Sequence, residues 1–179
     1  MKNIILISAI VLSSLSFGQS KLITKNGSIS FEASVPAFEE IKAKNEGVTY
    51  ILNTKNGEIA SLALVKGFRF KIALMEEHFN ENYIESDRYP KSTFKGKIEN
   101  FDFSKLTTEG KLYTLNGIME IHGKSKEISI SALIKKNGSG VDLNGNFTVN
   151  TDDFNIQIPS VVSKKVSKKV NVKIEATLK

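Results

Sequence analysis

The stretch from Lys111 to Ile134 constrains the fold most, because its residue pattern fits one long β-hairpin. In the first arm Tyr113, Leu115, Met119 and Ile121 share a face, while Thr114, Asn116, Glu120 and His122 fall mostly on the other; a period of two is the signature of a half-buried strand. In the second arm Ile128, Ile130, Ala132 and Ile134 alternate with Ser129, Ser131 and Leu133, and the arms meet across His122-Gly123-Lys124-Ser125. A hairpin this long cannot bury its apolar face alone. The remaining chain must therefore supply neighbouring strands.

It does so repeatedly. Asn26-Gly27, Asn56-Gly57 and Asn137-Gly138 predict hairpin turns, since both residue types accept positive φ. Between them, Ser28 to Ala33 puts Ile29, Phe31 and Ala33 on one side, and Val48 to Asn53 does the same with Val48, Tyr50 and Leu52. In Glu58 to Val65, Leu62 and Leu64 alternate with Ser61 and Ala63; a bulge at Gly67 then lets Phe68, Phe70 and Ile72 continue the strand. Lys91 to Ile98 carries Phe94 and Ile98, with Gly96 placed for a bend in a curved sheet. Later strands place Leu143, Gly145, Phe147 and Val149 together, and finally Val170, Val172, Ile174, Ala176 and Leu178.

Two segments break this rhythm. Pro36 to Ala43 suits a short helix or an irregular crossover. From Leu74 to Ile84 the period changes: Met75, Phe79 and Tyr83 are four apart, forming one stripe of a helix with Glu76, Glu77, Asn80 and Glu81 to solvent, and Tyr89-Pro90 ends the helical run. About eight strands and one helix predict an all-β, antiparallel barrel. A length of 179 residues, 40% hydrophobic and 25% charged, is that of one domain with a real core.

The N-terminus belongs to something else. Met1-Lys2-Asn3, an apolar run from Ile4 to Leu15 and the small residues Ser16 and Gly18 predict a secretory signal peptide over 1–18, leaving 19–179 as the barrel domain. The run is shorter than the roughly 20 apolar residues that span a bilayer. With no cysteine, neither a disulfide nor a lipidated cysteine is available, so the expectation is a periplasmic or secreted protein held together by packing. The +6 charge could suggest nucleic acid, but export and the lack of basic residues interleaved with aromatics argue against it. The most basic run, Ser163 to Lys169, reads as a lysine-protected strand edge or as a patch attracted to an anionic membrane or ligand head group.

Three motifs resemble the exported YceI-like proteins: His78 to Phe94 around Tyr89-Pro90, Leu115 to Ile128 around His122-Gly123-Lys124, and Gly145 to Ile156 around Thr151-Asp152-Asp153-Phe154. The resemblance implies a lipocalin-like barrel whose interior holds a long apolar chain such as a polyisoprenoid, with a quinone or fatty acyl lipid as related cargo. Two positions depart from the pattern. The family usually has arginine where Thr151 stands, and no histidine followed by Val-x-Gly-x-Phe occurs between Ser28 and Phe70.

An eight-stranded barrel is near the size at which the interior either fills with side chains or holds one ligand. The candidate ligand-binding wall is Phe31, Phe68, Phe70, Met75, Phe79, Tyr83, Phe94, Leu115, Met119, Ile121, Ile130 and Phe147; plain core packing would satisfy the same alternation. Against an enzyme stand the scarcity of histidine (His78 and His122 alone), with His122 expected to be solvated or turn-bonded, and consecutive Glu76-Glu77-His78, which diverge on a helix. Asp152-Asp153 fits an Asx-type turn as well as a cation site. No catalytic residue, metal or cofactor is expected. A lipid carrier or sensor is one reading; an envelope protein with a filled barrel, binding partners through its surface, is the other.

Overall fold

The computed structural model describes residues 20–179, so the predicted leader lies outside the described residues. The strands are β1 (Lys21–Ser34), β2 (Lys42–Asn53), β3 (Glu58–Leu64), the two-residue β4 (Arg69–Phe70), β5 (Lys91–Ile98), β6 (Lys111–Ile121), β7 (Lys124–Asn137), β8 (Gly140–Asn150) and β9 (Val166–Leu178), with one α-helix, α1 (Ala73–His78). Their order β1-β9-β8-β7-β6-β5-β3-β2 closes through a β1–β2 pairing, and β4 adds to the open edge of β2. The result is a closed antiparallel barrel of eight strands. Closure leaves few unpaired edges.

The predicted central hairpin forms in full register from Lys111↔Ile134 to Ile121↔Lys124. Gly96 and Gly117 face each other across β5 and β6. A Cβ on Gly96 would lie 2.4 Å from the Asn116 carbonyl and 2.7 Å from the Phe94 ring. The two glycines thus clear the space over which Phe94 folds.

Several local expectations are corrected. Asn26-Gly27 is not a turn: β1 runs straight through it with register shifts on either side of Gly27. The Tyr50 ring lies against Gly27, where a Cβ would be 2.5 Å away. By contrast Gly57 (φ 73°) and Gly138 (φ 57°) turn the chain as predicted. In β3 the inward residues are Ile59 and Ala63, and Leu64 is exposed, because the register with β5 puts the small side chains inside. After β3 the strand does not run on through a bulge: Val65–Gly67 is a 3-10 turn with Gly67 against Asn45, whose Nδ2 donates to the Leu64 carbonyl, and only Arg69–Phe70 resumes as β4. Pro36 to Ile41 is the irregular alternative rather than a helix. The predicted helix is shorter too: α1 passes into a π-helical turn at Phe79–Tyr83.

All strands run between two ends. One end is closed by Phe101, Phe103 and Leu106, partly buried beneath the core, with Lys136 over the Phe103 ring at 3.5 Å. There Leu52, Ile98, Ile134, Val141 and Leu178 are fully buried. The other end carries the β1–β2 loop, α1, the β6–β7 turn and the β8–β9 connection. It is the mouth.

Candidate ligand-binding cavity

From the mouth an apolar cavity of about 380 Å³ runs into the barrel. Ligand sites of roughly 300–1,000 Å³ with mostly apolar walls are the usual small-molecule scale. All twelve side chains read as candidate wall border it: Phe31, Phe68, Phe70, Met75, Phe79, Tyr83, Phe94, Leu115, Met119, Ile121, Ile130 and Phe147. Leu52, Ile98, Ile134, Val141 and Leu178 do not. The barrel is therefore filled at one end and hollow at the other, and both outcomes use the same alternation.

Four phenylalanines fasten the helical segment to the wall. Phe31 on β1 lies 5.3 Å from Phe68 and 5.4 Å from Phe79, and Phe70 on β4 lies 5.1 Å from Phe79, centroid to centroid. Offset and edge-on contacts at these distances favour aromatic pairs beyond their buried area. All four rings also border the cavity. Met75, Phe79 and Tyr83 line the cavity as the stripe predicted. Glu76 does not point freely to solvent: its carboxylate accepts from Arg69 Nη1 at 2.8 Å and from the Phe70 backbone N–H at 3.1 Å, tying α1 to β4.

Sequence reasoning missed part of the wall. Tyr50, Ile59, Leu143 and Ile174 border the cavity, as do Phe154 and Ile156 from the β8–β9 connection. The strand residues had the alternation that could have revealed them. Phe154 and Ile156 had no such signal, because they sit in and after a 3-10 turn, Thr151–Phe154. Tyr50 donates to the Ser28 carbonyl at 3.3 Å, and burial pushes its phenol pKa well up, so it stays neutral.

The three sequence motifs converge on one knot at the rim. His122 is neither solvated nor bonded within its own turn: its Nδ1 is 3.1 Å from the Phe154 carbonyl, to which it donates, and its Nε2 is 2.9 Å from Glu85 Oε2. The Tyr89 ring packs edge-on against the imidazole at 4.5 Å and covers Gly123. Asp153 pairs with Lys126 and Asp152 with Lys168, while the Asn150 side chain accepts from the Asp152 N–H; the aspartates are structural partners in an Asx-type turn. Among the described residues no group of three metal-ligating side chains occurs. Thr151, in the family's arginine position, is buried with its hydroxyl oxygen unpartnered among the described residues.

This knot covers a gap in the wall. β7 and β8 pair only from Ala132↔Gly145 to Asn137↔Gly140, so their mouth-side halves are not laddered together. The Thr151–Phe154 turn packs against both strands there, with Phe154 buried.

The YceI-like domain model matches residues 17–178. The chain belongs to the YceI-like family. Among solved structures it is similar to a polyisoprenoid binding domain from Saccharophagus degradans implicated in plant cell wall breakdown (TM-score 0.77, 11% identity, covering 89% of this chain and 98% of that one). It is also similar to Burkholderia cenocepacia BcnA (TM-score 0.70, 14% identity, 86% and 96% covered). A third is a Campylobacter jejuni YceI protein (TM-score 0.60, 16% identity, 81% and 89% covered). At such identities the likeness is one of fold. No curated protein sequence matches.

Proposed function

We propose that this YceI-like protein is an exported, periplasmic or secreted carrier that holds the hydrocarbon chain of a lipid inside its barrel and meets an anionic membrane peripherally. The observation that carries the reading is the apolar cavity of about 380 Å³ open at the mouth. Each methylene moved from water into it gains about 0.8 kcal/mol. Holding a chain this way requires no catalytic group, and we read the protein as a binder rather than an enzyme. The filled-barrel alternative is disfavoured by the same cavity. Among the described residues no helix is long and apolar enough to cross a membrane. The barrel is also apolar inside and largely polar outside, as Lys95, Lys97, Asn116, Ser129 and Ser131 show, the reverse of a lipid-embedded barrel.

A polyisoprenoid fits the family and the polyisoprenoid binding domain that the chain resembles; quinones and fatty acyl lipids present the same chemistry to the wall. The direct test is native mass spectrometry of protein purified from its own envelope without detergent, followed by lipid extraction. A bound prenyl or acyl lipid is expected. Ligand-free protein that also fails to take up a fluorescent fatty acid or a polyprenol would overturn the carrier reading.

A further inference from the structure

The mouth is ringed by three segments that expose apolar side chains beside lysines. Phe38 in the β1–β2 loop is 46% exposed, Leu74 on α1 is 56% exposed and Val161 in the β8–β9 connection is 88% exposed. Each has a cavity-lining neighbour: Phe38 itself borders the cavity, Met75 follows Leu74, and Val162 follows Val161. Exposed apolar side chains scattered singly over a surface need no explanation. These three sit on separate segments around one opening, two of them loops and one the helix α1.

The adjacent charge has a sign. Lys165 borders the mouth, and β9 begins at Val166, paired with Ser34 at the end of β1, so the lysine run lies beside the β1–β2 loop. Lys168 is paired with Asp152, whereas among the described residues Lys164, Lys165 and Lys169 have no acidic partner. Glu39, Glu77 and Glu81 are exposed carboxylates of the β1–β2 loop and the helical segment without a basic partner among the described residues, and Glu120 and Glu127 lie near the β6–β7 turn, so the positive charge is local to the lysine run beside the β1–β2 loop. Apolar tips flanked by lysines are the composition that binds an anionic lipid surface, the tips entering the head-group layer and the ammonium groups meeting the phosphates.

The geometry points to the mouth rim as the docking face for an anionic bilayer, with Phe38, Leu74 and Val161 entering the interface and Lys164, Lys165 and Lys169 over the head groups. In that orientation the cavity opens onto the membrane, so a lipid chain can pass between the two without crossing bulk water. The inference rests on the carrier reading for its purpose, but the contact itself can be measured without cargo.

The experiment is co-sedimentation of the mature protein with phosphatidylglycerol–phosphatidylcholine vesicles and with pure phosphatidylcholine vesicles, at low and high salt. Binding to the anionic vesicles, weakened by salt, is expected. Each basic residue beside an anionic surface favours binding roughly fivefold, so Lys164→Glu/Lys165→Glu is expected to lower the partition coefficient by about tenfold or more. Val161→Asp is expected to weaken it several-fold, and its high exposure keeps the fold out of the outcome. Leu112→Asp, 66% exposed on β6 at the closed end, is the control expected to bind as wild type. Equal binding to both vesicle types, or an equal loss with Leu112→Asp, overturns the docking face. Vesicle binding by a protein that is free of lipid and takes up neither the fluorescent fatty acid nor the polyprenol supports the docking and sinks the carrier reading; a lipid-loaded protein that ignores anionic vesicles does the reverse.

Discussion

At the closed end of the barrel Leu52, Ile98, Ile134, Val141 and Leu178 are completely buried, while toward the mouth Phe31, Phe70, Phe79 and Phe147 stand around open space. Both groups are apolar residues at alternate positions of antiparallel strands. What separates them is how the rings are held and what covers the ends. The closed end is sealed by the Phe101–Leu106 connection, whereas near the mouth the phenylalanines pack on one another along the wall. Alternation sets which side chains face inward; it does not set whether they meet.

Truncating the packed end should break this division most severely. Leu52→Ala is expected to cost about 2–5 kcal/mol in chemical denaturation, as large-to-small changes in a closed core do, with lipid affinity unchanged. Phe147→Ala at the hollow end should cost clearly less, since the side chain already borders a void. Equal losses would mean that the cavity fills in solution.

Blocking the hollow end sharpens the comparison from the other side. Met119→Trp is expected to reduce uptake of a fluorescent fatty acid or a polyprenol by about tenfold or more, a change of roughly 1.4 kcal/mol, while thermal stability falls little. Retained uptake would place the cargo elsewhere. His122→Ala removes the links to Phe154 and Glu85; a loss of about 1–2 kcal/mol is expected, with faster amide exchange confined to Thr151–Phe154 and the Glu85–Tyr89 segment.

Two smaller effects test the rim and the floor in turn. Thr151→Val replaces a buried, unpartnered hydroxyl with a methyl of similar size, and the melting curve is expected to show a gain of about 1 kcal/mol. At the floor, burial works against ionisation of Asp142, but hydrogen bonds from Asn137 and Thr177 and the nearby Lys135 ammonium outweigh it and hold the carboxyl below its ordinary value. A carboxylate with a lowered folded-state pKa stabilises the fold above its unfolded pKa, near 3.9, and loses that contribution as pH falls through the folded value. Asp142→Asn is therefore expected to lower stability by a few tenths of a kcal/mol at neutral pH and to leave it nearly unchanged below the folded-state pKa, so that the acid limb of the stability profile becomes flatter.

Much of the barrel was legible because period-two patterning survives single-sequence reading. The hairpin from Lys111 to Ile134, the inward row of β9 and the strand residues of the candidate wall followed from it, while Met75, Phe79 and Tyr83 came from the four-residue spacing of the helical stripe. The failures share a cause. Asn26-Gly27 carries the chemistry of a tight turn, yet Tyr50 across the ladder makes it a bulge, a contact from more than twenty positions away. Leu62 and Leu64 read as inward because leucine is bulkier than alanine; the β3–β5 register decided otherwise. The link between His122, Glu85 and Phe154 joins three motifs far apart in the chain, so the motifs were visible but their meeting was not.

Because β7 and β8 separate above Ala132, the hoop of hydrogen bonds around the mouth half is incomplete, and its circumference there is set by side chains and one short turn instead of a ladder. A split ring can change girth at the expense of a few packing contacts, where an intact one would have to break backbone pairs. On the carrier reading proposed above, that freedom would suit cargo chains of differing thickness, above a floor whose ladder and packing are complete.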